Sequence, residues 1–191
     1  MKLLKAGLFA SLLCVVPFAH ANDQQEAAIS LMALNAGTES ISTLAPKVRN
    51  VSNGVITEVE LDDYKDTQVV YKFEIIDING GNKHKLNYAV NDGALLKDKS
   101  KNLTTFGFSD LDREDRHAIT QVETAQFDII KTLIELENKY AAKTLEAELE
   151  TEKGIVFYKI KLVSAQKGIQ KLLVNVATGE EIPVMSRHKH K

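Results

Sequence analysis

The feature that most constrains the fold is an internal repeat with a spacing of 86 to 88 residues. Three short blocks occur twice in the same order. In the first copy they are residues 56–61 (ITEVEL), 70–76 (VYKFEII) and 85–93 (KLNYAVNDG). In the second copy they are residues 144–149 (TLEAEL), 157–163 (FYKIKLV) and 171–179 (KLLVNVATG). Because the order is kept and the offset is nearly constant, the sequence predicts two copies of one structural unit.

The first block of each copy is predicted to be a strand with one buried face. Apolar and acidic side chains alternate over residues 58–62, and residues 145–150 repeat the pattern. A period of two with one apolar face is typical of a half-buried strand. We expect a solvated acidic face here and no calcium site, because carboxylates two apart on a strand lie along a line. The acidic residues are Glu58, Glu60, Asp62, Glu146, Glu148 and Glu150.

The second and third blocks are also predicted to be strands. The second block alternates apolar residues with charged ones that include lysines, so it can form favourable cross-strand pairs with the acidic strand. The third block ends in a turn at Gly93 or Gly179, where a positive φ is required. A short return strand is expected after each turn, at residues 95–96 and at Ile182.

Helices are predicted before the strands of each copy. In the first copy, residues 26–37 are expected to be helical, and residues 41–51 to form a short second turn interrupted by Pro46. In the second copy we expect one longer helix that Ser109 caps. Its apolar residues recur at helical spacing: Ile119, Val122, Ile129, Ile130, Leu133, Leu136 and Tyr140.

The N-terminus has the composition of a cleaved export signal. Lys2 and Lys5 precede an apolar run over residues 6–18, and residues 19–21 (AHA) are a small-x-small cleavage site. The run is short for a bilayer span, and no second apolar run follows it. We therefore expect no membrane insertion after signal cleavage. The expected location is the periplasm, with secretion as the alternative.

Cleavage would remove Cys14, the only cysteine. Leu13 stands where a lipidated cysteine would need a small residue before it, which favours cleavage over a lipid anchor. A chain that starts at Asn22 keeps 170 of the 191 residues and has no disulfide. It carries 22 basic and 26 acidic side chains, because Lys2 and Lys5 are lost. This balance argues against nucleic acid or an anionic membrane as the main partner.

These patterns predict an α+β fold of two tandem repeats, each an amphipathic helix packed on a three- to four-stranded antiparallel sheet. The predicted organisation is a signal peptide at 1–21, a first unit at 22–97, a linker at 98–109, a second unit at 110–185 and a basic tail at 186–191. Each unit has only a small core. We therefore expect the units to pack on each other, with the second helix bridging them.

The second copy resembles the PepSY domain, which is found in propeptides of secreted metallopeptidases and in many small secreted proteins. The resemblance covers residues 119–184, and its residues are Glu148, Gly154, Tyr158, Lys159 and the turn at 177–180 (ATGE). The first copy, residues 27–97, departs from the pattern, because its hairpin at 62–68 (DDYKDTQ) lacks the Gly and its turn at 91–93 reads NDG. The resemblance implies an α+β fold and a non-catalytic role in binding or inhibiting a peptidase, or in another regulatory interaction outside the cytoplasm.

No catalytic, cofactor-binding or metal site is predicted, and we do not expect an enzyme. His84 lies in a polar loop and His117 among charges at a helix start, and no Gly-x-Ser-x-Gly elbow occurs. His188 and His190 in the tail could bind a metal, but the adjacent cations oppose this.

Two functions remain open. The first is an exported non-catalytic module that binds a protein or extended peptide, such as a peptidase or another envelope protein, through an open sheet edge. The alternative is a sensor or carrier of a small ligand or metal at the interface of the two units.

Overall fold

The computed structural model describes residues 18–105, 108–109 and 111–183, with side chains described for residues 23–104 and 111–183. Residues 1–17 of the predicted signal and the predicted basic tail lie outside the described residues. The first half of the chain contributes α1 (Phe18–Asn35), α2 (Ile41–Val51), β1 (Val55–Tyr64), β2 (Gln68–Asp77), β3 (Asn82–Ala89) and β4 (Leu95–Asn102). A small hairpin of β5 (Thr104–Thr105) and β6 (Phe108–Ser109) follows. The second half contributes α3 (Arg113–Ala125), α4 (Ile129–Tyr140), β7 (Lys143–Glu152), β8 (Ile155–Ser164) and β9 (Gly168–Asn175).

The predicted mixed helix and sheet class is confirmed, but the expectation of two separate sheets is wrong. The seven long strands form one antiparallel sheet in the order β4-β3-β2-β1-β7-β8-β9. The two halves meet where residues 58–60 of β1 pair with residues 146–148 of β7. We call this contact the seam. Pairing β1 with β7 gives hydrogen-bond partners to two strand edges that would be exposed if each half formed its own sheet.

One face of the sheet is apolar across all its inner strands. A row of aligned side chains crosses the seam through Leu86, Phe73, Val59, Ala147, Ile160 and Leu172. Helices cover this face: the Tyr88 hydroxyl donates to the Lys47 carbonyl of α2 at 3.1 Å, and Phe127 stacks on Tyr158 at 5.5 Å between ring centres. The continuous core therefore forms only because the two halves share one sheet.

Two buried tyrosines connect the halves across the seam. The Tyr71 hydroxyl of β2 donates to the Thr144 carbonyl of β7 at 2.9 Å, and the Tyr158 hydroxyl of β8 donates to the Ile56 carbonyl of β1 at 2.6 Å. Both acceptors lie where the strand register shifts. Burial raises the pKa of both phenols, so they remain neutral donors. Each tyrosine thus supplies a hydrogen bond at a point where the other half departs from a regular ladder.

The second helix differs from the prediction of one continuous element. It is divided into α3 and α4, because Gln126 adopts a left-handed conformation with φ of 51°. The Asp128 carboxylate then accepts from the backbone N–H groups of Ile130 and Lys131 and begins α4. The expected cap at Ser109 is also wrong, since Asp112 caps α3. As expected, α3 contacts both β1 and β7.

The predicted interruption at Pro46 does not occur. Helix α2 runs through Pro46 to Val51, and Ser40 and Thr43 form a capping box at its start. Its buried side chains are Ile41, Leu44 and Val48. Packing of this face outweighs the loss of one backbone donor at the proline.

The predicted linker at 98–109 begins inside a strand. Residues 97–102 pair with β3 along the whole length of β4, so the return strand of the first half is longer than expected. In the second half, the return within the described residues consists of a bridge between Val174 and Glu181. The turns themselves are as predicted, with positive φ at Gly93 (66°) and Gly179 (71°).

The turns of the β1–β2 and β7–β8 hairpins contain residues in the left-handed conformation, and the free-energy cost of that conformation differs between the two turns. In the second half they are Lys153 and Gly154, whereas in the first half they are Lys65 and Asp66, with φ of 54° and 57°. A side chain with a Cβ in this conformation costs about 1–2 kcal/mol relative to glycine.

We expect Tyr71→Phe and Tyr158→Phe each to lower the free energy of unfolding by about 1–2 kcal/mol, because each leaves a buried carbonyl without its phenol donor. Urea denaturation measures the change. Tyr64→Phe is the matched control, since the Tyr64 hydroxyl makes only a half-buried contact of 3.3 Å with the Leu96 carbonyl. Equal losses in all three variants would contradict a special role for the seam tyrosines.

For the hairpins, Asp66→Gly is expected to raise the free energy of unfolding by about 1 kcal/mol, and Gly154→Ala to lower it by a similar amount. Thermal or urea denaturation of the two variants tests both signs. A destabilised Asp66→Gly variant would show that the Asp66 side chain makes a contribution that exceeds its backbone cost.

Candidate functional site

The face of the sheet opposite the apolar core carries the predicted acidic and lysine rows. The seam brings the acidic rows of β1 and β7 side by side, so that Glu58 lies opposite Glu148 and Glu60 lies opposite Glu146. Like charges directly opposite each other on neighbouring strands are destabilising. The centre of this charged face therefore has an acidic strip that needs compensation.

Lysines on the flanking strands compensate most of the acidic strip. Lys72 bonds Glu60 at 3.1 Å and also Asp62, and it holds the pKa of the Asp62 carboxyl below its usual range. The second half has the corresponding pairs, in which Lys159 bonds Glu148 and Glu150 while Lys161 bonds Glu146. These half-exposed pairs fix register more than they add stability.

Glu58 is the exception. Within the described part of the chain it forms no ion pair, and its neighbours on both sides are acidic, Glu74 on β2 and Glu148 on β7. Burial raises the pKa of the half-buried Glu58 carboxyl, and the nearby charges of Glu74, Glu60 and Glu148 raise it further, although the charge of Lys85 lowers it in part. Ionisation of Glu58 is therefore less favourable in the folded state than in the unfolded chain.

Two lysines of β3 that line clefts together with Glu58 are bound to Glu74. Both Lys83 and Lys85 form ion pairs with the Glu74 carboxylate. Burial raises the pKa of Glu74, but the two lysine bonds outweigh this and lower it overall. Glu74 is therefore ionised, and it adds to the negative charge that Glu58 faces.

The second half allows a direct comparison with the surroundings of Glu58. Glu146 is the counterpart of Glu58 across the seam, and its neighbour on β8 is Lys161, where Glu58 has Glu74 on β2. The residue on the outer neighbouring strand, Lys161 or Glu74, thus decides whether the glutamate has a counter-charge beside it. A residue that breaks a local rule at a cost to stability is a candidate functional residue.

A cleft of about 150 Å³ lies beside Glu58 and Glu148, and its lining includes the buried Ala118 and Ile119 of α3 as well as Lys83, whose ammonium is bound to Glu74. Negative charge next to apolar surface suits an amphipathic cation, whose ammonium or guanidinium can meet the carboxylate while its aliphatic stem contacts the apolar side. Within the described ranges, no group of three or more His, Cys, Asp or Glu side chains is arranged to hold a metal ion.

Neither of the two described histidines lines this cleft. His84 is in β3, opposite Ile75 and Ser100, and His117 is on the exposed side of α3. His188 and His190 lie outside the described residues. The expectation of no catalytic, cofactor-binding or metal residues stays a prediction.

Sequence reasoning identified the acidic rows but missed the site between them. Alternation shows which face of a strand is acidic, but it does not show which strands of the two copies pair. One signal was present in the sequence: when the copies are aligned at an offset of 87 residues, Glu74 stands where the second copy has Lys161.

No family model matches the sequence, and no curated protein matches it. The fold is similar to the crystal structure of a presumed lipoprotein from Clostridium difficile 630, with 18% identity, a TM-score of 0.42, and coverage of 78% of this chain and 96% of that chain. Among the helices of the described ranges, none combines the length and the apolar character needed to cross a bilayer.

We expect Glu58→Gln to raise the free energy of unfolding at neutral pH by roughly 0.5 kcal/mol, because it removes a like-charge contact. Glu146→Gln should lower it by a similar amount, since it removes the ion pair with Lys161. Urea denaturation of both variants provides the comparison. A destabilised Glu58→Gln variant would contradict the electrostatic account of this position.

The gain from Glu58→Gln should depend on pH. Because the pKa of Glu58 is raised in the folded state, the folded protein binds the proton more tightly than the unfolded chain does. The cost of ionisation is therefore full above the raised pKa and absent below the ordinary glutamate value of about 4.3. The difference between variant and wild type should shrink as the pH falls through this range. A difference that does not change with pH would contradict this account.

Proposed function

We propose that this chain is an exported, non-catalytic binding module that uses the Glu58 cleft to dock a basic side chain of a partner protein. The observation that carries the proposal is the uncompensated charge of Glu58 beside apolar surface of α3. A lysine or arginine from a partner would supply the missing counter-charge. Binding would then recover the electrostatic cost that the free protein bears.

Export of the chain is part of the proposal. Its support is the N-terminal composition, in which lysines precede an apolar run and a small-x-small site. We place the protein in the periplasm, with secretion as the alternative.

We also propose that the chain consists of two tandem copies of one unit. Each half has a helix pair followed by antiparallel strands, and the donors Tyr71 and Tyr158 stand 87 residues apart while their acceptors Ile56 and Thr144 stand 88 apart. The resemblance of the second half to the PepSY domain makes a peptidase, or another envelope protein under regulation, the partner class to test first.

Quantitative affinity capture tests the docking proposal. Immobilised wild type, Glu58→Gln and Glu146→Gln are incubated with an envelope extract at low salt, and bound proteins are measured by mass spectrometry. A partner of the cleft should be retained by wild type and by Glu146→Gln, which makes the same charge change at a compensated position, and be lost with Glu58→Gln.

If Glu58→Gln retains every captured protein at the wild-type level, the docking proposal fails. Where a captured protein is a peptidase, its cleavage of a peptide substrate is measured with increasing amounts of each variant. Inhibition by wild type that Glu58→Gln lacks would support the regulatory role, and equal inhibition by both would contradict it.

A small organic cation in the same cleft is the second candidate function. The observation that favours it is the position of the cleft at the seam between the two halves, where Glu58 and Glu148 come from different halves. Thermal-shift measurements with diamines and polyamines test this function. A rise in midpoint of several degrees in wild type, absent in Glu58→Gln, would favour it, and no shift with any of them would contradict it.

A further inference from the structure

The edge strand β4 carries an unusual set of lysines. Lys97 and Lys99 are exposed, and Lys101 lies in the same row. In the described part of the chain β4 pairs only with β3, so it forms one edge of the sheet. Neither Lys97 nor Lys99 forms an ion pair with a described residue. The outer backbone edge of β4 and this row of lysines thus lie side by side on the surface of the sheet.

The positive charge at this edge comes from two neighbouring strands, β3 and β4. Lysines on an edge strand discourage pairing with another strand. Here Lys83 and Lys85 of β3 stand directly opposite Lys101 and Lys99 of β4, and the four side chains line a cleft of about 200 Å³. Like charges opposite each other on adjacent strands are unfavourable. Lys83 and Lys85 are bound to Glu74, so Lys97 and Lys99 are the lysines of this edge that form no ion pair with a described residue.

The charge of β4 discriminates among the strands that could add to it. A second copy of this chain that paired through its own β4 would bring lysines against lysines. An acidic strand would be attracted instead, and the protein already contains such a pair in β7 and β8, where Glu146 bonds Lys161 and Glu148 bonds Lys159. Side chains on one face of a strand are about 7 Å apart, so alternate acids on an added strand fall opposite alternate lysines.

We propose that the β4 edge accepts an extended segment of a protein partner with Asp or Glu at alternate positions, which adds to the sheet as a further antiparallel strand. Backbone hydrogen bonds supply pairing, and the lysine row selects acidic sequences and fixes their register. This surface is separate from the Glu58 cleft and does not depend on the function proposed for it.

Short synthetic peptides test the proposal directly. The probe is a capped peptide in which Thr and Glu alternate, labelled for fluorescence anisotropy and titrated with the full chain at low salt. One control has the same composition with the Glu residues contiguous. A second control has the alternating sequence with N-methyl groups on alternate backbone amides, which removes strand hydrogen bonds but keeps the charge.

The alternating peptide should bind, and both controls should bind about tenfold more weakly or not at all. The double variant Lys97→Gln with Lys99→Gln should lose about tenfold in affinity for the alternating peptide. Lys131→Gln with Lys153→Gln makes the same charge change at exposed lysines elsewhere and should leave affinity unchanged. Circular dichroism verifies that both double variants are folded.

Hydrogen exchange gives an independent readout. Amide protons of β4 should become protected when the alternating peptide is bound, because an added strand engages the free side of the ladder. Equal binding of the contiguous or N-methylated peptide would reduce the interaction to general charge attraction and overturn strand addition. Unchanged affinity in the Lys97 and Lys99 double variant, or no binding of the alternating peptide at all, would also overturn the proposal.

Discussion

The pairing of β1 with β7 is the interaction on which the rest of the structure depends. It spans only three residue pairs, yet it converts two sets of strands into one seven-stranded sheet. The two tyrosine hydrogen bonds reinforce it from both sides and serve carbonyls at the register shifts. Because each donor comes from one half and each acceptor from the other, neither half satisfies these buried groups alone.

The same pairing creates the electrostatic conflict at the centre of the charged face. Strands with identical alternation place their acidic residues on the same side, so antiparallel pairing of equivalent strands opposes glutamate to glutamate. Three of the four opposed glutamates have a lysine on the adjacent outer strand. The fourth, Glu58, has Glu74 there. The charge conflict at Glu58 is therefore inherent in the fold, and one residue of β2 decides whether it is relieved.

The sequence predicted local features well and long-range ones poorly. Alternation identified the buried and charged faces of β1, β2, β7 and β8, and the turn glycines at 93 and 179 have the expected positive φ. These features depend on steric and hydrophobic preferences that act within a few residues. The break in the second helix depends on the left-handed Gln126, a residue type with no strong preference for that conformation.

The single sheet could not be predicted either, because strand pairing between distant segments leaves no local pattern. Residues 98–102 illustrate the problem: their polar composition indicates a linker, whereas pairing with β3 makes them an edge strand. The candidate site at Glu58 likewise depends on long-range packing that local sequence patterns do not reveal. Its residue types were visible in the sequence, but their juxtaposition follows from the seam, from the register of β1 with β2 and from the packing of α3.

Helix α1 has a consequence for how the chain reaches this structure. It belongs to the N-terminal half, yet it contacts β8 and β9, the last strands of the sheet. In the folding chain, α1 therefore lacks its final contacts until β9, which ends about 140 residues further along the sequence, has packed against it. Such distant closure slows folding and prolongs exposure of apolar surface.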